Sequence, residues 1–153
     1  MKETGPHPDS GTSITGTACN RQATRRVHVY TDKKQIADIL EVQGGVRGYA
    51  TPPRLLAITS DLRCWFGGHE RNQGYVDAGL YAMELLLALE DQNLAACALN
   101  TMAFYKKSRK LRTACGIPDN EIFAMLIAVG PPPTGKLTPI SFRQSGESIT
   151  SWH

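Results

Sequence analysis

The sequence predicts a layered domain that mixes α-helices and β-strands, and three observations support this prediction. Four segments have strand composition, at least three others have helical spacing of apolar residues, and the two kinds interleave along the chain. The length of 153 residues suits one domain with a substantial core. No internal repeat is visible. These observations leave α/β and α+β arrangements open.

The strand candidates are short runs rich in β-branched, aromatic or other apolar residues. The first, residues 26–31, alternates Val27 and Val29 with polar neighbours, so we expect His28 on the opposite face of the strand, in a structural role. The other three are continuous apolar runs, which are typical of buried strands. They comprise residues 55–60, 94–99 and 121–129.

Two helix candidates are marked by apolar spacing and by residues that favour helix ends. Asp32 is a suitable N-cap for a helix over 33–43, and Gly44 would end that helix. A charged helix over 101–115 would end at Gly116.

The helix predicted over 75–90 is the segment around which the rest of the chain is organised. It is apolar on nearly every face, which predicts that several elements or a second subunit pack around it. In an exposed helix, a glycine such as Gly79 is about 1 kcal/mol less favourable than alanine. The absence of a side chain would in turn allow a neighbouring backbone to approach the helix closely. Asn93 is expected at its C-terminal end. A much weaker final helix is expected from Ser145 onward.

The composition is that of an ordinary soluble protein, with 41% hydrophobic and 20% charged residues. The formal net charge of +3 is too small to indicate nucleic-acid binding without a supporting cluster. Basic residues do concentrate over 106–112, but such a run more simply covers the solvated face of a helix. We therefore expect no nucleic-acid partner.

The four cysteines are widely separated and form no CxxC pair, which argues against a zinc ribbon or a dense disulfide framework. We expect buried free thiols and no metal site. There is no signal pattern and no apolar run long enough to span a bilayer, so we expect no membrane partner and a cytoplasmic location. Residues 1–14 have little apolar content and are expected to form a disordered tail, whereas 15–153 form a single domain.

Several short motifs follow one another in a fixed order along the chain. In this order and spacing the sequence resembles the nitroreductase family of FMN-dependent oxidoreductases, from about Thr15 to the C-terminus. The motifs are Ala18-Cys19-Asn20-Arg21-Gln22, the strand 27–30, Gln43-Gly44-Gly45 with Arg47-Gly48, Arg71-Asn72-Gln73 with Tyr75-Val76-Asp77, the run 94–100, Gly116-Ile117-Pro118 ahead of 121–130, and Ser141 with Arg143.

The resemblance implies an α+β fold with a mainly antiparallel sheet flanked by helices, in an intertwined homodimer. It implies that both chains bind FMN in a cleft at the subunit interface. The implied activity is hydride transfer from NAD(P)H to the flavin and then to a small-molecule acceptor, such as a nitroaromatic or a quinone. No catalytic side chain is required, because a flavin passes hydride directly and takes its proton from solvent.

The resemblance also suggests which residues hold the cofactor. Arg143 resembles a C-terminal arginine that meets the flavin phosphate, and a planar guanidinium suits bidentate contact with phosphate oxygens. Thr17 and Asn20 resemble loop residues that hydrogen-bond the cofactor. Leu99 and Asn100 fall where backbone groups commonly face the flavin ring.

Two further candidates have alternatives, and the chain also departs from the family pattern. Gln22 either joins the cofactor contacts or orders its loop, and Lys136 either adds a positive charge at the phosphate or is solvated surface. Family members usually carry an N-terminal arginine-rich segment that clamps the phosphate and ribityl chain, whereas residues 1–14 contain no arginine. A truncated gene start, a partner that covers the gap, or impaired flavin binding would each account for this. The alternative function is therefore a shortened, non-catalytic dimerisation module.

Overall fold

Four strands and three α-helices alternate along the part of the chain that the computed structural model describes, which comprises residues 24–65, 67–101, 105–132, 134–135 and 142–153. In chain order the elements are β1 (Arg25–Tyr30), α1 (Lys33–Gln43), β2 (Arg54–Asp61), α2 (Gln73–Asp91), β3 (Ala95–Asn100), α3 (Tyr105–Cys115) and β4 (Glu121–Gly130). Single turns of 3₁₀-helix lie at Leu62–Cys64, Gly68–Glu70 and Glu147–Ile149.

The strands form one sheet in the order β1-β2-β4-β3, and each pairing described in it is antiparallel. The two central positions belong to β2 and β4, as their continuous apolar runs predict. An antiparallel sheet with separate helices is an α+β fold. The sequence pattern left α/β and α+β arrangements open, and the structure shows the α+β arrangement. The α+β fold that the family resemblance implies is therefore confirmed.

Helices cover both faces of the sheet and create two cores. On one face α1 and α3 pack against each other and against β2 and β4. On the other face α2 packs against the sheet through buried alanines and half-buried larger side chains such as Tyr81 and Leu85. The first core includes Ile36, Ile39, Leu55, Leu111 and Leu126, and the second includes Leu56, Ile58, Ala78, Ala82 and Ile127.

The predicted helix ends are confirmed by their backbone geometry. Asp32 caps α1 by accepting a hydrogen bond from the Gln35 N–H at 2.7 Å. Gly44 follows α1 in the left-handed conformation (φ +78°), as does Gly116 after α3 (φ +66°). Asn93 adopts φ +55° after α2, which is a conformation that asparagine tolerates.

The environment of α2 differs in part from the expectation. Within the chain it packs only one side against the sheet, through Gly74, Asp77, Ala78 and Ala82. The prediction that several elements pack against this helix is confirmed, because all four strands contact it. Packing by a second subunit stays a prediction. Among the described residues, no heavy atom lies within 4 Å of where a Cβ of Gly79 would lie, so none of their backbone approaches this glycine closely.

Two other predicted helices need correction. The weak helix expected from Ser145 is a single 3₁₀ turn at Glu147–Ile149, and its exposed residues bury no apolar face that would stabilise a longer helix. Thr101 was expected to begin the charged helix, but it is not helical. Its hydroxyl donates to the Ala124 carbonyl at 2.8 Å and so continues the contact between β3 and β4. The described part of α3 begins at Tyr105.

Candidate functional site

The candidate cofactor residues Leu99 and Asn100 end strand β3, at the edge of the sheet. Within the described residues β3 pairs only with β4, so backbone N–H and C=O groups of its other edge point away from the sheet. The Leu99 side chain is buried in the core and Asn100 is exposed. The Leu99 side chain therefore anchors the strand, and a ligand at this position would meet backbone groups.

Two hydrogen bonds link the end of β3 to helices α1 and α3. Gln43 Nε2 donates to the Asn100 carbonyl oxygen at 3.1 Å, and Lys107 Nζ donates to the Gln43 carbonyl oxygen at 2.9 Å. The chain turns at Gly44 because glycine accepts a positive φ. The Gly45 N–H then donates to Gln43 Oε1 at 2.6 Å. The Gln43–Gly45 motif thus holds the end of the candidate strand in place.

Arg143 is exposed, and within the part of the chain that the structure describes its guanidinium makes no hydrogen bond or ion pair. An exposed guanidinium that has no hydrogen bond or ion pair with the described residues is available to an anionic ligand. No hydrogen bond or ion pair joins Arg143 to Leu99 or Asn100 among the described residues. The remaining four, Thr17, Asn20, Gln22 and Lys136, lie outside the described residues, and their roles stay predictions.

Helix α3 is flanked by two open grooves with different side chains. A groove of about 600 Å³ is lined by Tyr105, Ser108, Arg109, Arg112, Thr113 and Asp119. We call the other one the lysine groove; it has a volume of about 420 Å³ and is lined by Lys106, Lys107 and Lys110 of α3 with Glu41 and Val42 of α1. The basic run of α3 is exposed, as predicted for a solvated face.

A buried carboxylate at the end of β2 organises the polar side chains around it. Asp61 is 1% exposed and accepts from Arg63 Nη2 at 2.7 Å and from Arg26 Nη2 at 3.2 Å. Asn120 Nδ2 lies 3.3 Å from its other oxygen. The hydrogen bond from Arg63 is the largest cause that holds the pKa of Asp61 well below its usual value.

A second buried carboxylate, Glu121, opens β4 beside Asp61. Its Oε2 atom lies 2.8 Å from His28 Nε2 and accepts a hydrogen bond from the Thr59 hydroxyl. His28 does lie on the face opposite Val27 and Val29, because it contacts a residue of the α1 and α3 side of the sheet. Sequence reasoning missed both carboxylates; the signal was that β2 ends and β4 begins with an acidic residue, at the same end of an antiparallel pair.

The thiols only partly match the expectation of burial. Cys64 and Cys115 are buried and belong to no disulfide among the described residues, but Cys97 is exposed on β3, and Cys19 lies outside the described residues. Burial raises the pKa of the Cys115 thiol to about 11. Burial also raises the pKa of the neighbouring phenol of Tyr30, whose hydroxyl donates to the Cys115 carbonyl at 2.6 Å. These two groups are therefore neutral core residues rather than reactive ones.

Across residues 24–65, 67–101, 105–132, 134–135 and 142–153, no three His, Cys, Asp or Glu side chains are grouped in a way that could hold a metal ion. None of the helices in these ranges has both the length and the apolar content to cross a bilayer.

Comparisons with known proteins agree with this architecture. Residues 66–131 match the nitroreductase family. The fold is similar to that of a candidate nitroreductase from Bacillus subtilis, with a TM-score of 0.74 and 12% identity over 85% of this chain and 78% of that one. No curated protein sequence matches the chain.

Two of the similar structures are of nitroreductases that are described with FMN. One is a nitroreductase with bound FMN from Bacteroides fragilis, with a TM-score of 0.62 and 15% identity over 89% of this chain and 82% of that one. The other is an FMN-dependent nitroreductase from Clostridium difficile, with a TM-score of 0.65 and 13% identity over 84% and 75%. The chain thus has the nitroreductase fold and carries the family's sequence pattern over 66–131, so the resemblance is confirmed.

The described residues are chemically suited to FMN. The outer edge of β3 offers backbone donors and acceptors, which match the alternating N–H and C=O groups along the polar edge of a flavin ring. The guanidinium of Arg143 has no partner among the described residues and suits a phosphate. Leu99 and Asn100 would therefore hold the ring and Arg143 the phosphate.

Proposed function

We propose that this chain is an FMN-dependent oxidoreductase that acts as a cytoplasmic homodimer. It passes hydride from NAD(P)H by way of FMN to a small organic acceptor of the nitroaromatic or quinone type. The observation that carries the proposal is the nitroreductase fold together with the family match over 66–131. FMN supplies the hydride chemistry, for which no side chain of the protein is needed.

The residues of the chain have the task of binding and orienting the cofactor. Asn100 is held at the end of β3 by Gln43, so the backbone there is fixed before a ligand arrives. A preorganised edge loses little conformational entropy on binding. Arg143 neutralises the phosphate charge, and the loop residues Thr17 and Asn20 add hydrogen bonds from the same chain or its partner.

The homodimer is supported by the outward side of α2. We call this side the apolar face of α2; it consists of Tyr75, Val76, Leu80, Met83 and Leu87, each 50–59% exposed in the single chain. A contiguous row of large apolar side chains on a soluble protein marks a surface that is covered in the assembled state. A second copy of the chain, packed helix against helix, would bury this face.

The first experiment is a visible absorption spectrum of the full-length protein after incubation with FMN and desalting. We expect retained flavin bands, and oxidation of NADH or NADPH when a quinone or nitroaromatic is added. Arg143→Gln is expected to weaken FMN binding by about 10- to 150-fold, since a charge-assisted hydrogen bond contributes about 1.5–3 kcal/mol. The matched control is Arg54→Gln, which removes an exposed arginine at the start of β2.

The outcomes separate the proposal from its alternative. A protein that stays colourless at saturating FMN overturns the oxidoreductase and favours a non-catalytic dimerisation module. Equal FMN affinity of the Arg143→Gln and Arg54→Gln variants would contradict the assignment of Arg143 to the FMN phosphate.

A further inference from the structure

Three lysines of α3 are among the residues that line the lysine groove. Lys110 lies four residues after Lys106 and three after Lys107, and both spacings bring side chains together on the surface of a helix. All three are exposed, and the groove places them beside the C-terminal turn of α1. The result is a concave surface with a concentrated positive charge.

The positive charge of this groove is poorly compensated. The segment Tyr105–Cys115 contains five basic and no acidic residues. None of the ion pairs formed between described residues involves a basic side chain of α3. Glu41 is the one carboxylate among the residues that line the groove, and it is exposed. An anionic ligand would relieve the repulsion among the three lysines.

The basic residues on the other side of α3 are engaged within the protein. Arg112 donates to the carbonyl oxygens of Pro118 and Glu121 at 2.6 and 2.8 Å. The Arg109 guanidinium lies 5.8 Å from the centre of the Tyr105 ring. The lysine groove is lined by three of the five basic residues of α3, and such a compact cluster suits a single phosphate group rather than a nucleic-acid backbone that extends over many phosphates.

The lysine groove is joined to the candidate flavin edge by two hydrogen bonds. Lys107 Nζ binds the Gln43 carbonyl, and the Gln43 side chain binds the Asn100 carbonyl. Gln43 is thus shared between the wall of the groove and the end of β3. A ligand with a phosphate in the groove and a second group directed toward β3 would be held along this path.

We propose that the lysine groove binds the 2′-phosphate of NADPH and selects NADPH over NADH. This inference rests on the proposed function, because it takes a nicotinamide dinucleotide to be the reductant. The two reductants differ only by this phosphate on the adenosine ribose. Lysines suit it because each contributes a compact charge on a flexible stem. Two such contacts at an exposed site give NADPH an advantage of about tenfold in affinity.

The test compares 2′,5′-ADP with 5′-AMP by isothermal titration calorimetry of the full-length protein. We expect 2′,5′-ADP to bind about tenfold more tightly than 5′-AMP at low salt, and the difference to shrink as salt screens the charges. Lys106→Gln combined with Lys110→Gln should abolish the difference. Lys107 is left unchanged because it also positions Gln43. Arg109→Gln removes one charge from the other side of α3 and should keep the difference.

The same experiment separates the failure of this inference from the failure of the proposed function, because the calorimetry does not require bound flavin. A preference for 2′,5′-ADP that the double lysine variant loses supports the inference even in a protein that binds no FMN. Equal affinity for the two nucleotides overturns it, even if the flavoprotein oxidises NADH. Competition by inorganic phosphate as tight as that by 2′,5′-ADP would overturn the dinucleotide assignment.

Discussion

The carboxylate of Asp61 makes the stability of the protein depend on pH. Its pKa lies well below the usual 3.8 in the folded state, chiefly because Arg63 donates to it. A carboxyl group with a lowered folded pKa stabilises the fold above its ordinary pKa. That stabilisation is lost as the pH falls below about 4 toward the folded pKa.

We therefore predict that Asp61→Asn lowers the free energy of unfolding by roughly 1.5–3 kcal/mol near neutral pH, since it removes a charged acceptor from a buried network. The difference from the native protein should shrink in acid. Urea unfolding at a series of pH values between about 2 and 7 measures this.

The matched control for this prediction is Asp38→Asn. Asp38 pairs with Lys34 on the surface of α1, where both side chains are exposed, and such a pair contributes little. A constant difference between Asp61→Asn and the native protein across the pH range would contradict the pKa argument.

At the scale of elements, the N-terminus of α2 requires Gly74. A Cβ at this position would lie 2.6 Å from Ile122 Cδ1 and 3.3 Å from both Ser60 Oγ and Trp65 Nε1. The indole N–H donates to the Ser60 hydroxyl at 3.2 Å, so a methyl group would press on a hydrogen-bonded pair as well as on β4.

We predict that Gly74→Ala lowers the free energy of unfolding by about 1–2 kcal/mol, although alanine favours helix more than glycine does. Thermal or urea unfolding gives the value. Gly68→Ala is the control, because its Cβ would meet no atom within 4 Å. If both variants had the same free energy of unfolding, the close contact at Gly74 would not determine the stability of the fold.

Local signals explain why some elements could be predicted from the sequence. The bounds of α1 are those expected, since Asp32 and Gly44 specify its ends by hydrogen bonds and backbone geometry within a few residues. The strands β2 and β4 could be predicted because both of their faces are buried by helices. The single turn after Ser145 could not, since a short segment forms a helix only where packing stabilises it.

The candidate site could be predicted less well than the fold. Leu99 and Asn100 are found at a sheet edge, where a ligand can reach the backbone, but the edge position depends on strand order, which no local pattern specifies. Apart from the neighbouring pair Arg63 and Asp61, the Asp61 and Glu121 networks join residues that are 35 to 93 positions apart. Such pairs follow from the register of β1, β2 and β4, and the sequence pattern does not state that register.

For the whole molecule, the apolar face of α2 raises the question of assembly. Between Tyr75 and Leu87 the exposed side chains of α2 are apolar, although one helix face of a monomer is normally polar. The sequence predicted that this helix is buried, but in the single chain the sheet covers one side of it and the apolar face of α2 is exposed. We expect the second chain to provide the rest, with the cofactor cleft formed at the same interface.

We predict that Leu80→Glu with Leu87→Glu converts a dimer into a monomer and raises the dissociation constant by roughly 100-fold or more, because two unpaired charges would be buried between apolar side chains. Sedimentation velocity across a range of protein concentrations measures this. Tyr49→Glu, at an exposed residue in the turn after α1, is the control and should leave the dimer intact. Since the cleft is proposed to lie between the subunits, FMN retention should fall together with dimerisation. A native protein that is monomeric at all concentrations and yet holds FMN would overturn the interfacial site, whereas a dimer unaffected by both glutamates would place the subunit contact elsewhere.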